Sequence, residues 1–175
     1  MTDPTHQPLQ SAVLELETHA SEAGWDQPGR LYALVPTSDL LAREPALAAA
    51  MGLDAASAGG LTPVEQDDVP VDTPLETTLR EVMWPAEVFG CAAVVERLVL
   101  PPSADGQLPP DPEAADRYAA EHPDREEVRI VAGATRDGST YCALRLRSHD
   151  DPQSVMQAPD LVPALLELLR STLEN

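Results

Sequence analysis

Arg129, Arg145 and Arg147 occupy alternating positions in two consecutive segments of strand character, 127–135 and 141–147. Residues two apart on a strand share a face. Glu127, Val131, Tyr141 and Ala143 fall on that same face, and Arg97 or Glu96 of an upstream strand candidate can join it. Guanidinium forks suit carboxylates and phosphates. Two uses follow. Glu127 pairs with Arg147 across the ribbon while the other arginines meet water or nearby acids, at roughly 0–1 kcal/mol per pair. Alternatively Arg129, Arg145, Arg147, Tyr141 and Arg97 form a partner-binding or dimer face.

Cys91 and Cys142 also fall in strand candidates, and His149 lies in Ser148-His149-Asp150-Asp151. A buried cysteine is a small hydrophobe, whereas a nucleophilic one needs a positive, partly exposed setting and a base. No histidine adjoins either cysteine in sequence: His6 and His19 lie in the first helical region and His122 in a loop. Asp67-Asp68 and Asp150-Asp151 are oxygen pairs without a cation-binding loop around them. The histidines lack metal spacing, and there is no G-x-S-x-G, C-x-x-C or phosphate-cradling glycine loop. The expectation is a non-catalytic protein with no cofactor and no metal. The alternative is an enzyme or small-ligand binder using Cys91, Cys142 or His149.

The 175 residues carry 11 basic and 30 acidic side chains, a net charge of −19, and every basic one is arginine. Such a charge opposes phosphate backbones and anionic lipid, so neither nucleic acid nor membrane is an expected partner. Aromatic residues make up only 3%, too few for base-stacking platforms. No run reaches the ~20 apolar residues of a membrane span, and Met1-Thr2-Asp3-Pro4 lacks a signal peptide's pattern. A cytoplasmic location is expected, and two cysteines make no disulfide framework.

The length suits a single domain over 1–175. Leu9, Ala12, Val13, Leu16, Ala20 and Ala23 form one stripe of a helix over 7–24, stopped by Gly24. Gln27-Pro28-Gly29 suits a type II turn before a strand over 31–35. Helical stretches run from Thr37 or Ser38 to Arg43 and from Pro45 to Gly52, followed by an irregular acidic loop over 53–72. Thr73-Pro74-Leu75-Glu76 predicts a capped helix to about Met83, and Trp84-Pro85 breaks it. The two tryptophans, Trp25 and Trp84, suit anchors at element junctions. A long strand over 88–100, a Pro- and Asp-rich segment over 101–111, and a helix over 112–121 capped by Asp111 follow. A final apolar helix spans 159–173 and should cross the sheet, each buried Leu contributing roughly 1.5–3 kcal/mol.

The hairpin between 127 and 147 has two possible registers. A two-residue Asp137-Gly138 loop would place Arg145 opposite Ile130 and Arg147 opposite Val128, mixing charge into the apolar face. A type I turn with a bulge at Gly138 pairs Thr135 with Ser139, which sets Ala132 against Cys142, Ile130 against Leu144 and Val128 against Leu146. The bulged register separates the faces, and a one-residue slip would exchange them. The element order predicts an α+β fold: an antiparallel sheet of about four to five strands packed on N- and C-terminal helices.

Several strings together are distinctive: Trp84-Pro85-x-x-Val88-x-Gly90-Cys91-Ala92, Glu96-Arg97-x-x-Leu100-Pro101-Pro102 and Arg136-Asp137-Gly138. Cys142-Ala143-Leu144-Arg145-Leu146-Arg147-Ser148-His149-Asp150 and Pro159-Asp160-Leu161-Val162-Pro163 complete them. Over nearly its whole length the chain resembles an uncharacterised actinobacterial family of small acidic α+β proteins. That resemblance implies a secretion-chaperone-like fold, whose members typically dimerise and hold partner peptides; it carries over no catalytic residue. The extra material at 37–72 departs from the pattern, at the usual dimer and ligand surfaces. The combined expectation is a cytoplasmic protein-interaction, chaperone-like module that binds a protein partner or a second copy through the arginine face.

Overall fold

The computed structural model describes residues 7–53, 59–66, 69–70, 73–99, 109–123 and 125–174. The elements in chain order are α1 (Gln7–Ala23), β1 (Arg30–Pro36), α2 (Thr37–Arg43), α3 (Pro45–Ala50), β2 (Leu61–Glu65), α4 (Leu75–Leu79) and β3 (Gly90–Val99). Then come α5 (Pro112–Glu121), β4 (Glu126–Thr135), β5 (Thr140–Leu146), two short 3-10 turns, β6 (Met156–Ala158) and α6 (Pro163–Thr172). The strands form one sheet, ordered β2-β1-β3-β4-β5-β6, in which every neighbouring pair is antiparallel. The fold is α+β, with one or two strands more than the sequence suggests.

The β4–β5 hairpin takes the bulged register. Thr135 N–H donates to the Ser139 carbonyl at 3.0 Å, Gly138 adopts φ +89°, and Val128, Ile130 and Ala132 face Leu146, Leu144 and Cys142. This choice of register sorts the whole sheet. On one face Ile130, Ala132 and Ala134 of β4 join Cys91, Ala93 and Val95 of β3, and α6 covers them with Leu165, Leu166 and Leu169 while α4 adds Leu75 and Leu79. On the other face Ala92, Val94, Val131, Ala143 and Tyr141 lie under Leu9, Ala12, Val13 and Leu16 of α1. The sheet is therefore sandwiched between helices on both sides.

Small side chains let the layers approach. A Cβ at Gly133 would lie 3.0 Å from both Leu9 Cδ1 and Val13 Cγ2, so α1 rests almost on the β4 backbone. Arg136, just past β4, donates to the carbonyls of Val88, Trp84, Pro85 and Leu173, which ties the 84–88 loop to the end of α6. Trp84 adds an indole hydrogen bond to Thr172 Oγ1 at 3.0 Å, an anchor at an element junction as its sequence position suggested.

Five local expectations need correction. Within the expected loop, Leu61–Glu65 is the edge strand β2, and its Pro63 hid it. The bonds Gln66 N–H to Leu31 O and Thr37 N–H to Gly60 O set the parity of the β1–β2 ladder, so the backbone groups of Leu61, Pro63 and Glu65 point away from β1. Pro63 thus lacks a donor only where no ladder bond is made. The short β6 was missed because three residues carry no period. α4 is capped at Pro74 without a side-chain bond and ends at Leu79, and α6 starts at Pro163, four residues later than expected. Gly29 is not the residue that takes positive φ; Gly24 (+91°) and Asp26 (+64°) do. The Asp111 cap forms as expected, Oδ2 accepting from Ala114 N–H at 3.3 Å. The expected strand end at Leu100 and most of the Pro- and Asp-rich segment, 101–108, lie outside the described residues, as do Asp67 and Asp68.

Gly90 opens β3 where a Cβ would lie 2.6 Å from the Ala134 carbonyl oxygen. Backbone cannot swing away as a side-chain tip can. Gly90→Ala should therefore lower the free energy of unfolding by about 1–3 kcal/mol in urea titrations, with the slope unchanged.

Candidate functional site

Arg129 and Arg145 point to the α1 side of the sheet, and α1 is what covers them. They are 2% and 4% exposed, so the open arginine face anticipated from the hairpin is instead an interior contact. Glu17 of α1, itself buried, lies between them: Arg145 Nη2 is 2.7 Å from Glu17 Oε1 and Arg129 Nη1 is 3.8 Å from Oε2. Arg145 also reaches Asp150 at 3.0 Å, and Arg129 donates to the Gly24 carbonyl at 2.8 Å. Burial alone pulls the Arg145 pKa down, but its hydrogen bonds to Glu17 and Asp150 outweigh this and hold the charge. Glu17 Oε2, Arg129 Nη1 and Arg145 Nε make no hydrogen bond among the described residues.

Trp25 closes the outer end of this cluster. Its ring lies 4.3 Å from the Arg129 guanidinium and 5.6 Å from that of Arg147, and its indole N–H donates to Asp150 at 3.0 Å. Arg147 grips both oxygens of Asp26 and pairs with Glu127 at 2.8 Å, the cross-strand pair read from the sequence. Glu96 receives the Asp26 and Gln27 amides at 2.9 and 2.8 Å. Tyr141 donates to Gln157 Oε1 from a buried position. Arg97, by contrast, pairs in register with Val128 on the α6 face and forms its ion pair with Glu76. Of the two strand neighbours, Glu96 joins the cluster and Arg97 does not. The assembly is a clasp that fastens the α1–β1 connection to the hairpin.

A groove of about 810 Å³ runs along the other side of α1. Ser11, Glu15 and His19, at steps of four, form its helical wall, and Leu61, Pro63 and Glu65 of β2 form the opposite one. Leu16 and Tyr32 line it between them, and Met51, at 41% exposure, stands at its margin. Among the described residues no arginine lines it; Arg30 lies outside the lining and pairs with Glu65 at 2.8 Å. Both walls fall within residues 9–174, which match the PPA1309-like protein family. The chain belongs to the PPA1309-like family. No curated protein and no solved structure matches it.

Elsewhere in this PPA1309-like chain the residues of the enzymatic reading stand apart. Cys91 is sealed under α6, where its thiol contacts the Leu169 carbonyl and Thr172 Oγ1, and burial pushes its pKa up to about 11. Burial also raises that of Cys142. The thiolate required of a nucleophile is thus disfavoured at both. Strand β4 separates them, and two strand spacings with a two-residue offset in register put them beyond disulfide reach. His149 is exposed, with Nδ1 3.0 Å from Ser148 Oγ, while that hydroxyl bonds Glu126 at 2.8 Å. There the serine stands between carboxylate and imidazole, whereas a hydrolytic triad places the histidine in the middle. Among the described residues no three His, Cys, Asp or Glu side chains could hold a metal, and no helix is long and apolar enough to cross a membrane.

Two participants escaped sequence reasoning. Glu17 falls one residue after Leu16, beside the apolar stripe of α1, and a buried acid there has no local signature. The groove wall on β2 was hidden with its strand. Removing the counter-charge tests the clasp: Glu17→Gln leaves two buried guanidiniums short of an anion and should cost about 3–5 kcal/mol in chemical denaturation, whereas Arg147→Ala, at the exposed end, should cost far less. Hydrogen bonds from Arg147 hold the Asp26 carboxyl below the usual range, and those from Trp25 and then Arg145 do so for Asp150. A depressed folded pKa stabilises above the unfolded value, about 4, and this contribution is lost as pH falls through the folded one. Urea midpoints should decline below about pH 4, and less steeply in Asp26→Asn/Asp150→Asn.

Proposed function

We propose that this protein is a cytoplasmic, chaperone-like protein-interaction module without catalytic activity, which holds a segment of a partner protein in the groove between α1 and β2. The observation that carries this reading is the groove itself. Its volume is in the range of about 300–1,000 Å³ typical of binding sites, and apolar groups lie between polar rims, as at recognition surfaces. The reading moves the interaction surface away from Arg129 and Arg145, which the clasp consumes, to the opposite flank of the same helix. The sealed thiols favour binding over thiol chemistry, and two cysteines too far apart to bridge suit a reducing compartment.

Site-specific photo-cross-linking in cells tests it. A photoreactive amino acid in place of Met51 should yield a discrete protein adduct, and the same group in place of exposed Glu113 on α5 should not. Equal adducts at both positions, or none at Met51, overturn the reading. The enzymatic alternative is tested separately: iodoacetamide should leave both cysteines unmodified in the folded protein at pH 7.5 and label both once it is unfolded. Rapid labelling of Cys91 or Cys142 in the folded state would favour the alternative.

A further inference from the structure

We infer that the segment taken by the α1–β2 groove is cationic, docking through its side chains rather than as an added strand; this rests on the groove reading above. Glu15 stands exposed on the helical wall and Glu65 on the strand wall. Among the described residues, the only titratable side chain between these rims that can become positive is His19. Arg30 reaches Glu65 from outside the groove and offsets part of its charge, which leaves Glu15 as the stronger determinant. Around the groove the chain carries −19, so the field attracts a cationic segment from a distance and disfavours an acidic one. The same field opposes a second copy, since self-docking would bring one acidic chain against the acidic rim of another.

The mode of docking follows from β2. A strand added to its open edge needs the outward amides of Leu61, Pro63 and Glu65, and Pro63 has none. The edge is only five residues long, so an interruption at its centre leaves too little ladder to specify a register. Side chains are what remain to be recognised. Apolar groups of the incoming segment meet Leu61 and Met51, and its positive groups meet Glu15 and Glu65.

Fluorescence anisotropy with the full chain and three labelled peptides tests this. The first is an amphipathic peptide of Leu, Ala and Lys of about 14 residues, close to four helical turns; in the others each Lys becomes Gln or Glu. The Lys peptide should bind most tightly and the Glu peptide least, with the preference shrinking as salt is raised. Glu15→Arg should weaken Lys-peptide binding about tenfold at low salt, and the distant Glu113→Arg less than about twofold. Met51→Asp should weaken the apolar contact for every peptide that binds. Equal losses from Glu15→Arg and Glu113→Arg would reduce the attraction to net charge and overturn the inference. If the Glu or Gln peptide binds as well as the Lys peptide and Met51→Asp still abolishes binding, the groove reading survives and its cationic preference does not. If Met51→Asp changes nothing for any peptide, both fail. A dimer in sedimentation that Met51→Asp converts to monomer would identify a second copy as the occupant and overturn the cationic segment.

Discussion

Between α1 and the sheet, Glu17 supplies the negative charge without which the helix could not lie where it does. Two guanidiniums project into the layer that α1 must close, and stripping water from them costs several kcal/mol each unless anions replace it. Glu17 meets both from the helix, and Asp150 meets Arg145 from beyond β5. Leu9, Val13 and Leu16 provide the apolar drive on the same face, and Gly133 provides the clearance. The apolar contacts favour closure and the ionic ones restrict how it closes: a helix rotated by one residue would bury the leucines poorly and strand the arginines.

That constraint decides which surfaces remain open. With α1 pinned over β4 and β5 and its C-terminal end held through Trp25, Asp26 and Glu96, the helix meets β2 only at its side, where Leu61 packs against the α1 core and an open hollow remains. The hollow between them is a consequence of geometry, since one helix cannot blanket six strands. Pro63 keeps the exposed edge from recruiting strands, and the brevity of β6 does the same at the far edge. Both ends of the sheet are blunted while one flank stays concave, an arrangement suited to side-chain recognition without open-ended strand addition.

The cysteines show how the same layering keeps both thiols from the setting a nucleophile needs. Both sit on the α6 face in the middle of a sheet covered on two sides, and the groups nearest Cys91 are a carbonyl, a threonine hydroxyl and the Trp84 ring system rather than a base. Their contribution is volume, matched to the alanines beside them.

Much of the architecture was legible in the chain because it is local. The stripe from Leu9 to Ala20, the stop at Gly24, the Asp111 cap and the bulge at Gly138 each depend on residues within a few positions, while the expected stripe member Ala23 is exposed; the hairpin register follows from keeping charge off one face. The Glu127–Arg147 pair was legible for the same reason. What surrounds the hairpin was not, because burial is a property of the third dimension. Alternation showed that Arg129 and Arg145 share a face; it contained nothing to say that α1, more than 100 residues earlier, would cover it with an acid in place. β2 escaped because edge strands tolerate the proline that sequence reasoning takes as a break, and with it went one wall of the groove. Local pattern was enough for most of the helices and strands, β2 and β6 excepted, and for the sorting of polar from apolar along each. Which sorted face met solvent was set by long-range docking, where counter-charge and clearance must coincide.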